Sequence, residues 1–137
     1  MKKVFVDTNL IVYANDNRDE QKQEKAIRLI SDTMRNGNGV ISTQVLQEYA
    51  QVALTKLGQS QNVVLRQLVL LEAFEVITLS PPLIRRGVEI RAAYGISFWD
   101  SLIVAAAESG KCETVLSEDL NPGQFYSGIV VINPLAD

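Results

Sequence analysis

The segment Val4-Phe5-Val6 constrains the chain most: three β-favouring apolar residues in succession, stopping abruptly at Asp7-Thr8-Asn9. A strand without apolar–polar alternation is covered on both faces, which places it in the middle of a parallel sheet. Parallel neighbours are reached by crossovers, usually helices, so such a strand commits the rest of the chain to an α/β arrangement. Asp7 then stands where a central strand ends, at the rim where the loops of an open α/β sheet diverge and ligands bind. Asp, Thr and Asn are also good helix caps, so capping the next helix is the competing use of the same residues.

The remaining sequence supplies the crossovers. Leu10 to Ala14 reads as a short helix capped at Thr8 or Asn9, followed by a polar loop to Asp19. Ala26, Ile27, Ile30 and Met34 recur at helical spacing in an amphipathic helix from about Glu20 to Arg35, which Asn36-Gly37-Asn38-Gly39 terminates. Its Lys22, Lys25 and Arg28 read as a solvated face. Val40-Ile41 is a strand, and Ser42-Thr43 caps a helix over residues 44–57 whose buried stripe is expected to be Leu46, Ala50, Ala53 and Leu57. Glu48 lies one turn into that helix, at the same end of the sheet as Asp7. The helix predicted over 62–72 is more apolar than one solvated face requires, so Val63, Leu65, Leu68 and Leu71 are expected to bury against the domain or against another chain. Residues 75–79 form a strand, and Ser80-Pro81 opens a helix to Tyr94 in which Arg85 can pair with Glu89. Ser97 caps a strongly apolar helix through Ala107, with Asp100 three residues on in the manner of a capping box. Thr114–Leu116, followed by Ser117-Glu118-Asp119, repeats the opening pattern of strand then acids, and Ile129–Ile132 is the last strand. Strands alternating with helices, joined by right-handed crossovers, make a three-layer α/β/α sandwich with a parallel sheet, expected as one domain over residues 1–137.

Composition narrows the chemistry. At 137 residues and 47% hydrophobic the chain has material for one core. Met1-Lys2-Lys3 leads into too short an apolar run for a signal peptide, and no run approaches the length of a membrane span; a soluble cytoplasmic protein without membrane contact is expected. A net charge of -3 argues against a protein that coats nucleic acid through a basic surface, unless bound cations neutralise part of its sixteen acids. The single cysteine, Cys112, rules out an internal disulfide and a thiolate cluster. The zero beside histidine is the most restrictive number, because Ser-His-Asp and Cys-His hydrolysis, imidazole-driven RNA transesterification and His-ligated zinc all need an imidazole.

Carboxylates remain. Asp7, Glu48, Asp100 and Asp119 fall on one rim of the expected sheet. Two carboxylates about 4 Å apart repel by roughly 4 kcal/mol at an effective dielectric near 20, so a cluster must take up protons or a cation. Oxygen-only ligation suits Mg2+ or Mn2+. Such an ion activates water and stabilises charge on a phosphate oxygen, giving in-line hydrolysis that needs no 2'-hydroxyl and leaves 5'-phosphate and 3'-hydroxyl ends.

The residues that carry these acids, Val-Asp7-Thr8-Asn9-Leu, Ser42-Thr43-Gln44-Val45-Leu46-Gln47-Glu48-Tyr49, Phe98-Trp99-Asp100-Ser101-Leu-Ile and Leu-Ser117-Glu118-Asp119-Leu, resemble the four acidic motifs of the PIN-domain nucleases. Chain length, motif order and the tail from Asn121-Pro122-Gly123-Gln124 to Asn133-Pro134 further resemble the VapC-type toxins of toxin–antitoxin pairs. The resemblance implies a five-stranded parallel sheet, a Mg2+- or Mn2+-dependent endoribonuclease, a homodimer, and inhibition by a cognate antitoxin that occludes the site. Carried over by position, Asp7, Glu48, Asp100 and Asp119 are the metal-binding and catalytic quartet. Thr8, Asn9 and Ser42 are supporting polar groups, with Glu118 as an alternative to Asp119 for the fourth ligand.

Two other readings compete. A haloacid-dehalogenase-like phosphatase also ends its first strand on a nucleophilic Asp, but that chemistry wants a second acid two residues on, where this chain has Asn9, and Lys111 is badly placed for the family's lysine. A non-catalytic, toxin-like interaction module would give its acids no reason to converge. No base-stacking platform stands out; Tyr13, Tyr49, Tyr94 and Phe98 lie near the motifs and are expected to serve the core.

Overall fold

The computed structural model describes residues 1–136; Asp137, the final residue of the expected domain, lies outside the described residues. β1 (Val4–Val6) leads into α1 (Thr8–Ala14) and α2 (Glu20–Asn36); β2 (Gly39–Ser42) is followed by α3 (Thr43–Leu54) and α4 (Gln61–Leu71). Next come β3 (Glu75–Ile77), α5 (Pro81–Tyr94), α6 (Phe98–Ser109), β4 (Thr114–Leu116), β5 (Phe125–Tyr126) and β6 (Ile129–Ile132). The sheet order is β3-β2-β1-β4-β6-β5, with β1 in the interior as its uninterrupted apolar run requires. All pairings are parallel except β5 with β6.

The expected five-stranded parallel sheet is therefore present, but extended by a sixth, antiparallel strand. β5 and β6 form a hairpin with Tyr126 opposite Ile129, so Ser127-Gly128 is a two-residue turn. Both turn residues have positive φ, 54° and 78°, the left-handed conformation that matches strand twist in such hairpins.

The path of the chain also sorts the helices. From β1 through β2 to β3 it steps steadily one way, then returns past β1 to β4. Right-handed crossovers put the helices of those two movements on opposite faces. The contacts agree: α1 packs on α2 and α3, α3 on α4, and α5 on α6. α6 lies on β2, β4 and β6, and its run from Ser101 to Ala107 is buried all round. This accounts for a helix apolar on every side. Across α5 and α6, Arg86 grips Glu108 with two hydrogen bonds of 2.7 and 3.0 Å and also reaches Glu89. The pairing expected of Arg85 belongs to its neighbour.

Caps place most helix ends. Ser42, Ser60, Ser80 and Ser97 each accept a backbone N–H of the following first turn, while Gly37 and Gly95 close α2 and α5 at φ of 69° and 68°. Two local expectations change. α1 is capped by Asp7 itself rather than by Thr8 or Asn9. In α3, Val45 and Tyr49 join Ala53 in the buried stripe, leaving Leu46 and Ala50 half-buried, because the sheet beneath selects a face turned by one residue. On α4, Val64 and Leu71 turn inward, whereas Leu65, Val69 and Leu70 stay exposed. No helix among the described residues is long and apolar enough to cross a membrane.

Gly39, at the start of β2, is where a side chain has no room. A Cβ built there would sit 2.5 Å from two ring carbons of Phe74, itself buried. Overpacking of this kind costs about 1–3 kcal/mol. Gly39→Ala is expected to lower the urea midpoint accordingly, and Phe74→Leu in the same chain to recover part of that loss; an unchanged midpoint for Gly39→Ala would show that the ring moves aside freely.

Candidate active site

The C-terminal ends of β1 and β4 are neighbours, and the loops leaving them open the sheet at its rim. Asp7 follows β1. Its Oδ1 accepts the Thr8 backbone N–H at 2.7 Å, and its Oδ2 accepts the Ser117 hydroxyl at 2.7 Å and, more weakly, the Asn9 amide at 3.4 Å. Burial pushes this carboxyl up to about 6; the Ser117 and Thr8 hydrogen bonds pull the other way, and the nearby charges of Glu48 and Asp100 add to the rise. An acid in that condition is short of positive charge.

The other acids come from separate elements. Glu48 is exposed on α3 and is held by the Thr8 hydroxyl, which donates to its Oε1 at 2.8 Å. Asp100 lies in the first turn of α6, where its backbone N–H donates to the Ser97 hydroxyl at 3.1 Å. Only that half of a capping box forms. Asp119 is exposed after β4, its backbone N–H donating to Ser117 Oγ at 3.2 Å. Asp7, Glu48, Asp100 and Asp119 line a single cleft of about 360 Å3, together with Lys56 and Trp99.

The supporting residues divide. Thr8 and Asn9 line the cleft. Ser42 does not: it is fully buried and its hydroxyl accepts the Val45 N–H at 3.4 Å, so it sets the start of α3 and hence the height at which Glu48 is carried. Glu118 is drawn away from the cleft. Tyr13 donates to its Oε1 at 2.6 Å, and Lys22 pairs with its Oε2 at 2.8 Å. The Lys22 ammonium and the Tyr13 hydroxyl hold this carboxyl below its usual range. Lys22 thus belongs to a clamp rather than to a solvated face.

Ser117 is a site residue that sequence reasoning missed. Its oxygen donates to Asp7 and receives the Asn9 amide and the N–H groups of Asp119 and Leu120 at 3.1–3.2 Å. Asn9 also accepts the Glu118 N–H at 3.1 Å, closing a ring between the first and fourth acidic segments. A small polar residue following a buried strand was the available signal. Trp99 was missed too, although it is 63% exposed beside Asp100. Tyr49 is buried as expected, and Phe98 packs on the core.

The donor set is all oxygen. Among the described residues no three of these acids close into a preassembled coordination group. That spacing fits a hard cation that keeps most of its waters and takes few direct carboxylates, and it does not fit a fully dehydrating protein cage. The desolvated Asp7 is the group such an ion would most readily ionise.

A family model described as PIN domain matches residues 4–126. No curated protein matches the sequence. Among solved structures, a toxin–antitoxin complex from Klebsiella pneumoniae contains a chain that aligns with a TM-score of 0.73 at 22% identity, over 96% of this chain and 98% of that one. VapC20 of Mycobacterium tuberculosis, a toxin that cleaves the sarcin–ricin loop, aligns with a TM-score of 0.71 at 15% identity, over 93% of this chain and 99% of that one. DNA-bound VapBC from Salmonella typhimurium gives 0.68 at 20% identity, over 96% and 97%. At these identities the likeness establishes a shared fold.

Asp7 makes a stability prediction. Its folded-state value of about 6 lies above the ordinary aspartate value of 3.8, so the folded chain binds the extra proton. The associated stability is complete below about pH 4 and is lost as pH rises through 6. In chelator, Asp7→Asn is expected to match the parent at pH 4 and to exceed it by on the order of 2–3 kcal/mol at pH 8, read from urea denaturation. A parent protein no less stable at pH 8 than the variant would show that Asp7 is ionised at no cost.

Proposed function

The chain belongs to the PIN-domain family, and from that premise we propose that it is a divalent-metal-dependent endoribonuclease acting as the toxin of a toxin–antitoxin pair. One observation supports this above the others: carboxylates from β1, α3, α6 and the loop after β4 share one cleft in a chain without histidine.

In this reading Asp7, Glu48, Asp100 and Asp119 hold Mg2+ or Mn2+ at the rim. The bound ion supplies charge stabilisation for phosphate oxygens and makes water a stronger nucleophile at neutral pH. The protein's own groups do the rest. Ser117 and the Thr8 N–H fix both oxygens of Asp7, so that carboxylate needs no reorientation. Thr8 ties Glu48 to α1, and Asn9 ties the loop that carries Asp119 to the same helix. Lys56, in the cleft wall, is placed to meet an entering phosphate. Cleavage leaves 5'-phosphate and 3'-hydroxyl ends.

The proposal assigns all of residues 1–137 to this one nuclease domain and places it in the cytoplasm as a homodimer. Leu65, Val69 and Leu70, exposed on α4, are the apolar surface offered for self-association. An antitoxin would neutralise the cleft by inserting a basic side chain, best an arginine, whose guanidinium matches paired carboxylates.

Incubation of the purified protein with total RNA tests the activity. Cleavage is expected in Mn2+ or Mg2+ and not in EDTA; equal cleavage in EDTA overturns the proposal. Asp100→Asn and Asp119→Asn are expected to lose about a hundredfold or more in rate, as for removal of a principal transition-state stabiliser. Glu118→Gln keeps its rate within about threefold, because its carboxylate serves Tyr13 and Lys22. The reverse ranking of Asp119 and Glu118 would move the fourth ligand.

A further inference from the structure

Beside the acidic cleft lies a mainly apolar depression of about 480 Å3 lined by Gln44, Gln47, Glu48, Gln51, Val52 and Trp99. Gln44, Glu48, Val52 and Trp99 line both hollows, so the two adjoin across a shared wall. We propose that this depression is a nucleobase subsite: a base of single-stranded RNA next to the scissile phosphate stacks on the Trp99 indole and is read at its edge by the glutamine amides of α3. This rests on the nuclease reading of the acidic cleft and deepens it.

Four observations carry the proposal. First, Trp99 leaves 63% of its surface in solvent, so the core does not account for it. Second, the residue is anchored twice: Phe98 meets the ring edge-on at 5.5 Å with planes 62° apart, and the Trp99 main-chain oxygen accepts Gln44 Nε2 at 3.1 Å, which ties the start of α6 to α3. A large aromatic face steadied at its edge and open to solvent is what unstacked bases bind. Third, Gln44, Gln47, Glu48 and Gln51 recur at i, i+3, i+4 and i+7, so three amides and one metal-site acid share a face of α3. Neutral amides donate and accept together, matching base edges without competing for the cation. Fourth, Gln44 is the buried anchor of that row, its Nε2 given to the Trp99 main chain and its Oε1 enclosed without a hydrogen-bond partner, so reading a base falls to the exposed amides of Gln47 and Gln51. An apolar side chain from a protein partner would cover Trp99 but leave the amide row unmatched. A base uses both.

The chain contains one tryptophan, so indole fluorescence reports on this residue alone. Asp119→Asn, titrated in Mg2+ with a mixed-sequence RNA hexamer, is expected to show saturable quenching that an abasic hexamer of equal length does not produce. In the active protein, Trp99→Leu is expected to raise the hexamer KM about tenfold with kcat within about twofold and Mn2+ affinity unchanged by calorimetry. Gln47→Leu, at an exposed position, is expected to change the base preference at fragment ends. Equal quenching by the abasic strand, or unchanged KM and fragment ends in both variants, overturns the subsite. Quenching by an amphipathic Leu/Arg helical peptide and not by RNA assigns the hollow to a protein and overturns it as well. Cleavage without quenching removes the subsite and leaves the nuclease; base-dependent quenching without any cleavage removes the nuclease and leaves the subsite.

Discussion

A carboxylate buried at the end of a central strand is the constraint on which this molecule turns. Asp7 cannot be left unmet inside an apolar sheet end, and the groups that meet it come from both sides of the β1–β4 seam: Thr8 and Asn9 from the start of α1, Ser117 from 110 residues away. Because the Ser117 oxygen also receives the backbone of Asp119 and Leu120, satisfying Asp7 dictates the course of the loop after β4. The same contacts that make the fold tolerable make the cleft. Stability and site geometry are one network at this point.

The charges elsewhere are arranged to leave that network alone. Lys2, Lys3, Arg18, Lys22 and Arg86 pair with Glu113, Glu75, Asp16, Glu118 and Glu108. Exposed pairs of this kind contribute little stability each. Their consequence lies in what they omit: among the described residues, no lysine or arginine forms an ion pair with Asp7, Glu48, Asp100 or Asp119. Cys112 is likewise kept out of the chemistry, buried and pushed up to about 12. The four acids of the rim thereby keep their charge without a basic partner in direct contact.

Strand ends and helix caps were legible in the sequence because they are local: an apolar run followed by Asp7, a serine before each of α3, α5 and α6, a glycine after α2 and α5. Local reading also put the four acids at one rim, since a parallel sheet brings every strand's C-terminal end to the same side. It failed where the answer depends on distant partners. Leu46 and Val45 are both apolar, and only the sheet decides which one α3 buries. Lys22 sits on the polar side of an amphipathic helix, and nothing near it in sequence announces Glu118. Ser117 resembles any turn serine until β1 lies beside it. The hairpin strand β5 escaped because two residues are too few for a period, although its Ser-Gly turn was visible.

The two margins of the sheet set limits on what can dock there. β3 contributes three residues at one margin, with Lys3 and Glu75 paired across its start, and β5 contributes only two at the other. Neither margin presents a run of unpaired amides and carbonyls long enough to template an incoming strand. The chain is therefore guarded at both sheet margins against growing into ladder-like aggregates when made in excess.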